Sequence, residues 1–337
     1  WIMKLFPGNP NDFFRLIRLP NLIIVALTMI LMRYAVLKPL LNAMPVELAE
    51  NPLIVTRMAF QMGWFDFLML VLSTVLITAG GYVINDYFDI RTDLINRGSI
   101  IVGNTVSRRM AMLYHNVFSF LGVAGGFYVS ARIGYFWLGT LFLLVSGLLY
   151  FYSVTYKRQF LIGNLIVAFL TAMVPFMVVL FEAPPIYKAY SAATLSFPGV
   201  RLLYYWVGGF AMFAFMTTLI REIIKDIEDY EGDLTFGRKT LPVVSGVFAT
   251  KMIVISLSVV TIILLYIVCF RYLPGRLTLA YVSLLVAAPL VWVIGKVLLS
   301  KKRDEFHMAS RMVKIIMLFG ILYSAVAGAI ITSGKIL

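Results

Sequence analysis

The chain has 337 residues, 61% of them hydrophobic and 13% charged, with a mean hydropathy of +0.92. Soluble domains carry about 25% charged residues, so this composition excludes an ordinary water-soluble globule. The net charge of +13 points away from nucleic acid, because the basic residues sit in short loops between apolar runs; membrane lipids and phosphorylated substrates are the expected partners. The single cysteine, Cys269, lies within an apolar run and excludes an intramolecular disulfide. A chain that opens on Trp1 reads as incomplete or processed at its start, and no signal-peptide pattern follows.

Apolar runs of about 18 residues or more are candidate transmembrane helices. Nine are expected, at 19–38, 65–87, 111–130, 134–153, 161–181, 202–223, 249–270, 277–299 and 313–333. The stretch Met44–Met62 is moderately apolar too and competes with the first two. Residues 182–200, with three prolines, read as a loop, and 88–110 and 224–248 are the longest polar interruptions. The expected fold is all-α: a polytopic membrane protein of one domain over residues 1–337, with nine transmembrane helices around a central cavity. With the N-terminus in the cytoplasm, 20 of the 29 basic residues fall in cytoplasmic segments or at the span ends that border them, so the positive-inside rule favours that orientation in the cell membrane.

The acids are not scattered. Nine of sixteen fall in two windows, 86–93 and 222–233. Asp86, Asp89 and Asp93 are spaced i, i+3, i+7 after the second span, and Asp226, Asp229 and Asp233 repeat that spacing after the sixth. On a helix each trio lies within about 60° of arc. Both follow even-numbered spans and so emerge on one face, the cytoplasmic one. A single stripe reads equally well as a solvated helix end; two matching stripes do not. Carboxylates at a membrane boundary are costly unless solvated, paired or bound to cations. Hard oxygen ligands suit Mg²⁺, which is commonly shared with substrate phosphates. Two Mg²⁺ ions, one per stripe and bridged by a diphosphate, are expected.

Arg91, Arg97, Lys157, Arg221, Lys225, Arg238 and Lys239 crowd the same loops and suit phosphate oxygens, although the positive-inside bias alone explains most of them. A metal-bound diphosphate is a good leaving group. If the attached group is allylic, the carbocation left behind can be sheltered by aromatic faces, for which Tyr82, Tyr87, Phe88, Tyr150 and Tyr152 are candidates. Aromatics at membrane interfaces are also plain anchors.

The pairing of Asn85-Asp86-x-x-Asp89-x-x-x-Asp93 with Asp226-x-x-Asp229-x-x-x-Asp233 resembles the UbiA superfamily of intramembrane prenyltransferases. The resemblance covers essentially the whole chain. Arg18-Leu19-Pro20-Asn21 opening the first span, Asn96-Arg97 past the first motif, the run Tyr152–Arg158 after the fourth span and Gly163-Asn164 opening the fifth are further matches. By that resemblance Asn85, Asp89 and Asp93 serve one Mg²⁺, and Asp226, Asp229 and Asp233 serve the other, with Asp86 beside the first set. Arg97 and Lys157 hold the diphosphate of a prenyl donor, and Arg18, Asn21 and Tyr152 line the substrate site. The run REIIKDIEDYEGDLTFGRKTLPV is most similar to the branch that makes the second ether bond of digeranylgeranylglyceryl phosphate lipids. This implies geranylgeranyl transfer to the hydroxyl of a prenylated glycerol phosphate. An acceptor with its own phosphate needs basic residues beyond those on the diphosphate, and Arg221, Lys225, Arg238 and Lys239 are the surplus available for it. Many members follow Asn-Arg with Pro, whereas this chain reads Asn96-Arg97-Gly98-Ser99.

The alternatives are prenylation of an aromatic acceptor, as in quinone or heme side-chain synthesis, and, from another class, a secondary transporter. Transporter acids usually lie near the midplane of repeated halves, whereas these lie at span ends. His115 and His307, the latter read as lying in a basic loop, are expected to be structural. Asp304-Glu305 reads as a pair of solvated loop charges. Gly125-Gly126 and Gly208-Gly209 read as helix-packing positions.

Overall fold

The computed structural model describes residues 10–47, 55–90, 92, 94, 100–194, 197–273 and 275–334. Among these, nine helices are long and apolar enough to cross a membrane: α1 (Leu19–Asn42), α2 (Trp64–Phe88), α3 (Arg108–Arg132), α4 (Phe136–Val154), α5 (Ile162–Tyr190), α6 (Arg201–Glu228), α7 (Val247–Tyr272), α8 (Arg276–Leu299) and α9 (Arg303–Thr332). Each answers to one expected span, and the protein is an all-α integral membrane protein. Large apolar side chains such as Phe120, Leu144, Leu284 and Leu299 stay exposed, as a lipid-facing surface requires.

Most helices overrun their apolar segments, which corrects several expectations. α5 continues through Pro184 and Pro185 to Tyr190, so the first half of the expected 182–200 loop is helix. Membrane helices tolerate proline because neighbouring groups re-satisfy the freed carbonyls. α6 carries the charged run to Glu228. Asp304, Glu305 and His307 lie in the first turns of α9, not in a loop; the Glu305 carboxylate accepts from the backbone N–H groups of Lys301 and Lys302. Among its described residues, the moderately apolar 44–62 stretch adds no span. It holds a two-stranded antiparallel ribbon, β1 (Pro45–Glu47) with β2 (Val55–Arg57), Val46 facing Thr56.

The chain divides into two compact units. Unit 1 comprises residues 1–27, 64–166 and 229–244; unit 2 comprises 28–63, 167–228 and 245–337. In unit 1, α2 packs along α3, and α4 lies against both. Glycines set the approach. A Cβ on Gly122 would meet Ile77 Cγ1 at 2.6 Å and the Ser73 carbonyl at 2.9 Å, and one on Gly126 would strike the Phe142 ring. Gly208 and Gly209 meet nothing within 4 Å, so the packing expected of them falls to other residues.

In unit 2, α6 packs on α9 and α7, and α8 on α7 and α9. Gly320 accommodates the Phe213 ring, and Gly328 lies against the Ala35 carbonyl. Ala35 belongs to a π-helical turn, Met32–Leu37, inside α1. That turn carries Arg33, 2% exposed, whose Nε lies 2.6 Å from Oε1 of the fully buried Glu182. Arg33 also donates to the Met62 carbonyl and lies over the Phe60 ring. Nothing in the apolar pattern singles out this pair; its only trace in sequence is Arg33 inside the first expected span, since Glu182 falls at the start of the stretch read as a loop.

Gly122→Val forces the α2–α3 contact apart and is expected to cost about 1–3 kcal/mol. Gly147→Ala, at a position with nothing within 4 Å, keeps the wild-type Tm. Thermal unfolding of both variants in detergent checks this; equal midpoints would mean that the α2–α3 contact is not set by Gly122.

Candidate active site

A helix end falls directly before the middle aspartate of each stripe: α2 stops at Phe88 and α6 at Glu228. The trios therefore do not share one unbroken helix. Around each break the turn persists, since the Asp89 N–H donates to the Asn85 carbonyl at 3.1 Å and the Asp233 N–H to the Asp229 carbonyl at 3.0 Å. A short helix, Tyr230–Thr235, follows the second break.

Within unit 1 the site is built around Asp89. Its Oδ1 lies 2.8 Å from Lys157 Nζ and 2.8 Å from Arg238 Nη2. Lys157 also donates to Asn85 Oδ1 at 3.2 Å. Arg238 reaches on to Thr92 Oγ1 at 2.6 Å and Asp233 Oδ1 at 3.4 Å, so one guanidinium bridges the two acid motifs. Burial by itself would raise the Asp89 pKa; the Lys157 and Arg238 charges outweigh it and hold the carboxyl below its usual value. The Lys157 ammonium is pulled below its ordinary value, by burial first and by Arg238 and Arg158, with Asp89 opposing. Asp233 is 3% exposed and pushed up to about 6, by burial first and by the neighbouring Asp229 and Asp89, against Arg238.

Local backbone explains how these groups meet. The turn Tyr156–Arg158 presents Lys157, and Gly163 fits beneath it: a Cβ there would stand 2.8 Å from the Lys157 Cα. Gly237, at φ +64°, turns the chain so that the Arg238 N–H meets the Asp233 carbonyl at 2.9 Å. The Lys239 N–H then donates to the Arg158 carbonyl at 3.0 Å, tying the two basic turns together.

The other expected residues divide. Asp86 turns to Arg18, 2.8 Å away; Arg18 holds the left-handed φ of +53° and lies over the Tyr82 ring. Asn21 donates to the Tyr82 hydroxyl at 3.3 Å. One face of Tyr82 is thus covered by Arg18 and one of Tyr87 by Arg108, while Phe88 meets Tyr150 edge-on. Tyr152 is half-buried near the end of α4. Arg221, Lys225 and Asp226 lie on α6 in unit 2, where Arg221 and Lys225 both pair with Glu222. Asp93 and Arg97 lie outside the described residues. Among the described residues no three acidic, histidine or cysteine side chains converge closely enough to cage an ion alone. Asn85, Asp89, Asp229 and Asp233 still offer the hard oxygen donors that Mg²⁺ takes together with water and phosphate oxygens.

The Asp89 knot escapes sequence reading because Arg238 lies 149 residues away. Thr92 escapes because a threonine beside charges carries no signal of its own. Removing Asp89 leaves two largely buried cations without their shared counter-charge. Asp89→Ala is expected to destabilise by about 3–5 kcal/mol, as broken buried pairs do, and Asp89→Asn by less. Chemical or thermal unfolding in detergent reads the loss; an unchanged midpoint would show that the knot does not hold the site together.

Comparison with known proteins accords with this architecture. The model of the UbiA prenyltransferase family matches residues 54–329. The digeranylgeranylglyceryl phosphate synthase of Methanothermobacter thermautotrophicus is 31% identical over 86% of this chain and 95% of its own. That of Methanopyrus kandleri is 33% identical over 73% and 82%. A solved structure of a digeranylgeranylglyceryl phosphate synthase shares the fold at a TM-score of 0.61 and 20% identity, over 94% of this chain and 98% of that one. The apo structure of a UbiA homologue from Aeropyrum pernix K1 does so at 0.58 and 17%, over 88% and 96%. The chain belongs to the UbiA prenyltransferase family.

Proposed function

We propose that this protein transfers a geranylgeranyl group from its diphosphate to the free hydroxyl of a prenylated glycerol phosphate, forming an ether lipid and releasing diphosphate. The relatives named above support the acceptor, and the observation that carries the chemistry is the sharing of buried Asp89 by Lys157 and Arg238. These two cations are positioned to exchange the carboxylate for diphosphate oxygens. The exchange frees Asp89, beside Asn85 and Asp233, to serve as an oxygen ligand. When bound, Mg²⁺, two ions on this reading, neutralises charge building on the departing diphosphate. Asp93 and Asp229 would complete the ligand set, and Arg97 would join Lys157 on the diphosphate.

The allylic C–O bond breaks first, because an alcohol is a weak nucleophile. Tyr82, Tyr87, Phe88, Tyr150 and Tyr152 are the rings available to shelter the cation; one face of Tyr82 and of Tyr87 is covered by an arginine and one of Tyr150 by the His115 ring. The glycerol hydroxyl then forms the ether bond, and its proton passes to the released diphosphate.

The purified protein with labelled geranylgeranyl diphosphate and Mg²⁺ is expected to label a prenylated glycerol phosphate in preference to naphthoate or benzoate, and to stop on chelation. Labelling of an aromatic acceptor alone would overturn the acceptor. Turnover in chelator would overturn the metal.

The N-terminus and the site are assigned to the cytoplasmic face, on the 20 basic residues that this orientation puts inside. In a Cys269→Ser background, cysteines at the exposed positions Ser107 and Lys239 are expected to label from the cytoplasmic side and one at Ser191 from the other. Labelling of both Ser107 and Lys239 from the outer side would overturn the orientation, and labelling of the two from opposite sides would mean a miscounted span.

A further inference from the structure

The inner half of α6 has two faces. Ile220, Ile223, Ile224 and Ile227 are buried on one side. Thr218, Arg221 and Lys225, spaced i, i+3, i+7, lie on the opposite side within about 60° of arc. Five other threonines in the spans, Thr74, Thr78, Thr171, Thr217 and Thr261, each donate to the carbonyl four residues back, and Thr278 pairs with the Tyr323 hydroxyl. Thr218 does neither. It is 3% exposed, and its Oγ1 finds no hydrogen-bond partner. One turn on, Arg221 Nε is likewise buried and without a partner. Two buried donors one turn apart and left unsatisfied are costly, and in a native structure such groups call for an explanation, a bound ion among them.

Glu222 makes the arrangement rigid. Its Oε1 accepts from Arg221 Nη1 at 2.6 Å and its Oε2 from Lys225 Nζ at 3.1 Å. The carboxylate fixes both cations yet leaves the Arg221 Nε–H and further Lys225 donors available. A hydroxyl, a guanidinium N–H and an ammonium along one stripe match the several anionic oxygens of a tetrahedral phosphate. The four basic residues expected to hold the acceptor's phosphate are therefore not one group: Arg238 is engaged with Asp89 and Asp233, and the Lys239 backbone with Arg158, whereas Arg221 and Lys225 share Glu222.

We propose that Thr218, Arg221 and Lys225, aligned by Glu222, form the docking site for the phosphate monoester of the acceptor lipid. This rests on the proposed reaction and adds to it a separate phosphate subsite, with Thr218 as the residue that selects a phosphorylated acceptor.

The test uses the full-length protein in lipid nanodiscs and two independent readouts. A prenylated glycerol phosphate, added without donor, is expected to raise the Tm of the wild type but not of Thr218→Val or Arg221→Gln. In steady-state kinetics both variants are expected to raise the acceptor KM by about tenfold or more with the donor KM within about twofold, the signature of lost ground-state binding. Thr218→Ser restores the wild-type values, and Arg221→Lys, which lacks the Nε–H, does not. The unliganded Tm of Thr218→Val stays at or above the wild type, because an isosteric methyl replaces an unsatisfied hydroxyl. A rise in the donor KM instead would assign these donors to the diphosphate and overturn the proposal, as would thermal protection retained in both variants. If the wild type prenylates only an aromatic acceptor, the reaction fails, and the Tm readout decides the phosphate site by itself: protection lost in the variants upholds it, protection retained overturns it.

Discussion

A carboxylate that is 8% exposed at the end of a membrane helix cannot stand alone, and the site depends on how Asp89 is compensated. The cost of burying an ion is several kcal/mol after relaxation, and it is recovered only with close, well-aligned counter-charges. Asp89 has two of them on the same oxygen. Lys157 comes from the turn after α4 and Arg238 from the turn after the second acid motif, so one ionised group draws three segments of chain together. The backbone bond from Lys239 to Arg158 makes that convergence hold even while side chains exchange partners. Both cations share one carboxylate oxygen and can turn from it to an arriving polyanion.

Glycine supplies the geometry that charge alone cannot. Gly163 lets the chain pass beneath Lys157, and Gly237 gives the left-handed turn before Arg238. Further into the membrane, Gly122 and Gly126 bring the α2–α3–α4 group close enough for van der Waals packing, the main source of helix association where lipid is as apolar as leucine. The same logic operates in unit 2 at Gly320 and Gly328.

The nine spans were legible because runs of apolar residues carry their own signal, and the two acid stripes because charge at the end of such a run is expensive. The family followed from their pairing. Helix ends were less legible: apolar content falls off before the hydrogen-bond ladder does, so α5 runs past Pro185 and α6 reaches Glu228. Partnerships were the least legible. Arg238 stood among basic residues assigned to the acceptor, yet it bridges Asp89 and Asp233, because no local pattern encodes a contact across 149 residues. Thr218 was invisible for another reason. A threonine in a span is ordinary, and only a buried hydroxyl without a hydrogen-bond partner distinguishes this one. Gly208 and Gly209 show the converse, a recognisable pattern without the close contact it suggested.

The buried pair of Arg33 and Glu182 bears on how the chain is made. Arg33 lies in the first span and Glu182 in the fifth, 149 residues later in synthesis. A lone arginine near a helix centre costs about 2.5–3.5 kcal/mol to insert, and here its counter-charge does not yet exist when the first span leaves the ribosome. The first span must therefore be held at the insertion machinery, or sit high enough for Arg33 to reach water, until α5 arrives. Assembly of this half of the protein then becomes dependent on order: α1 settles to its final depth, and its π turn closes on Gly328, only once the later helices are present. A truncated chain ending before Glu182 would carry a first span that is apolar enough to insert and yet unable to rest.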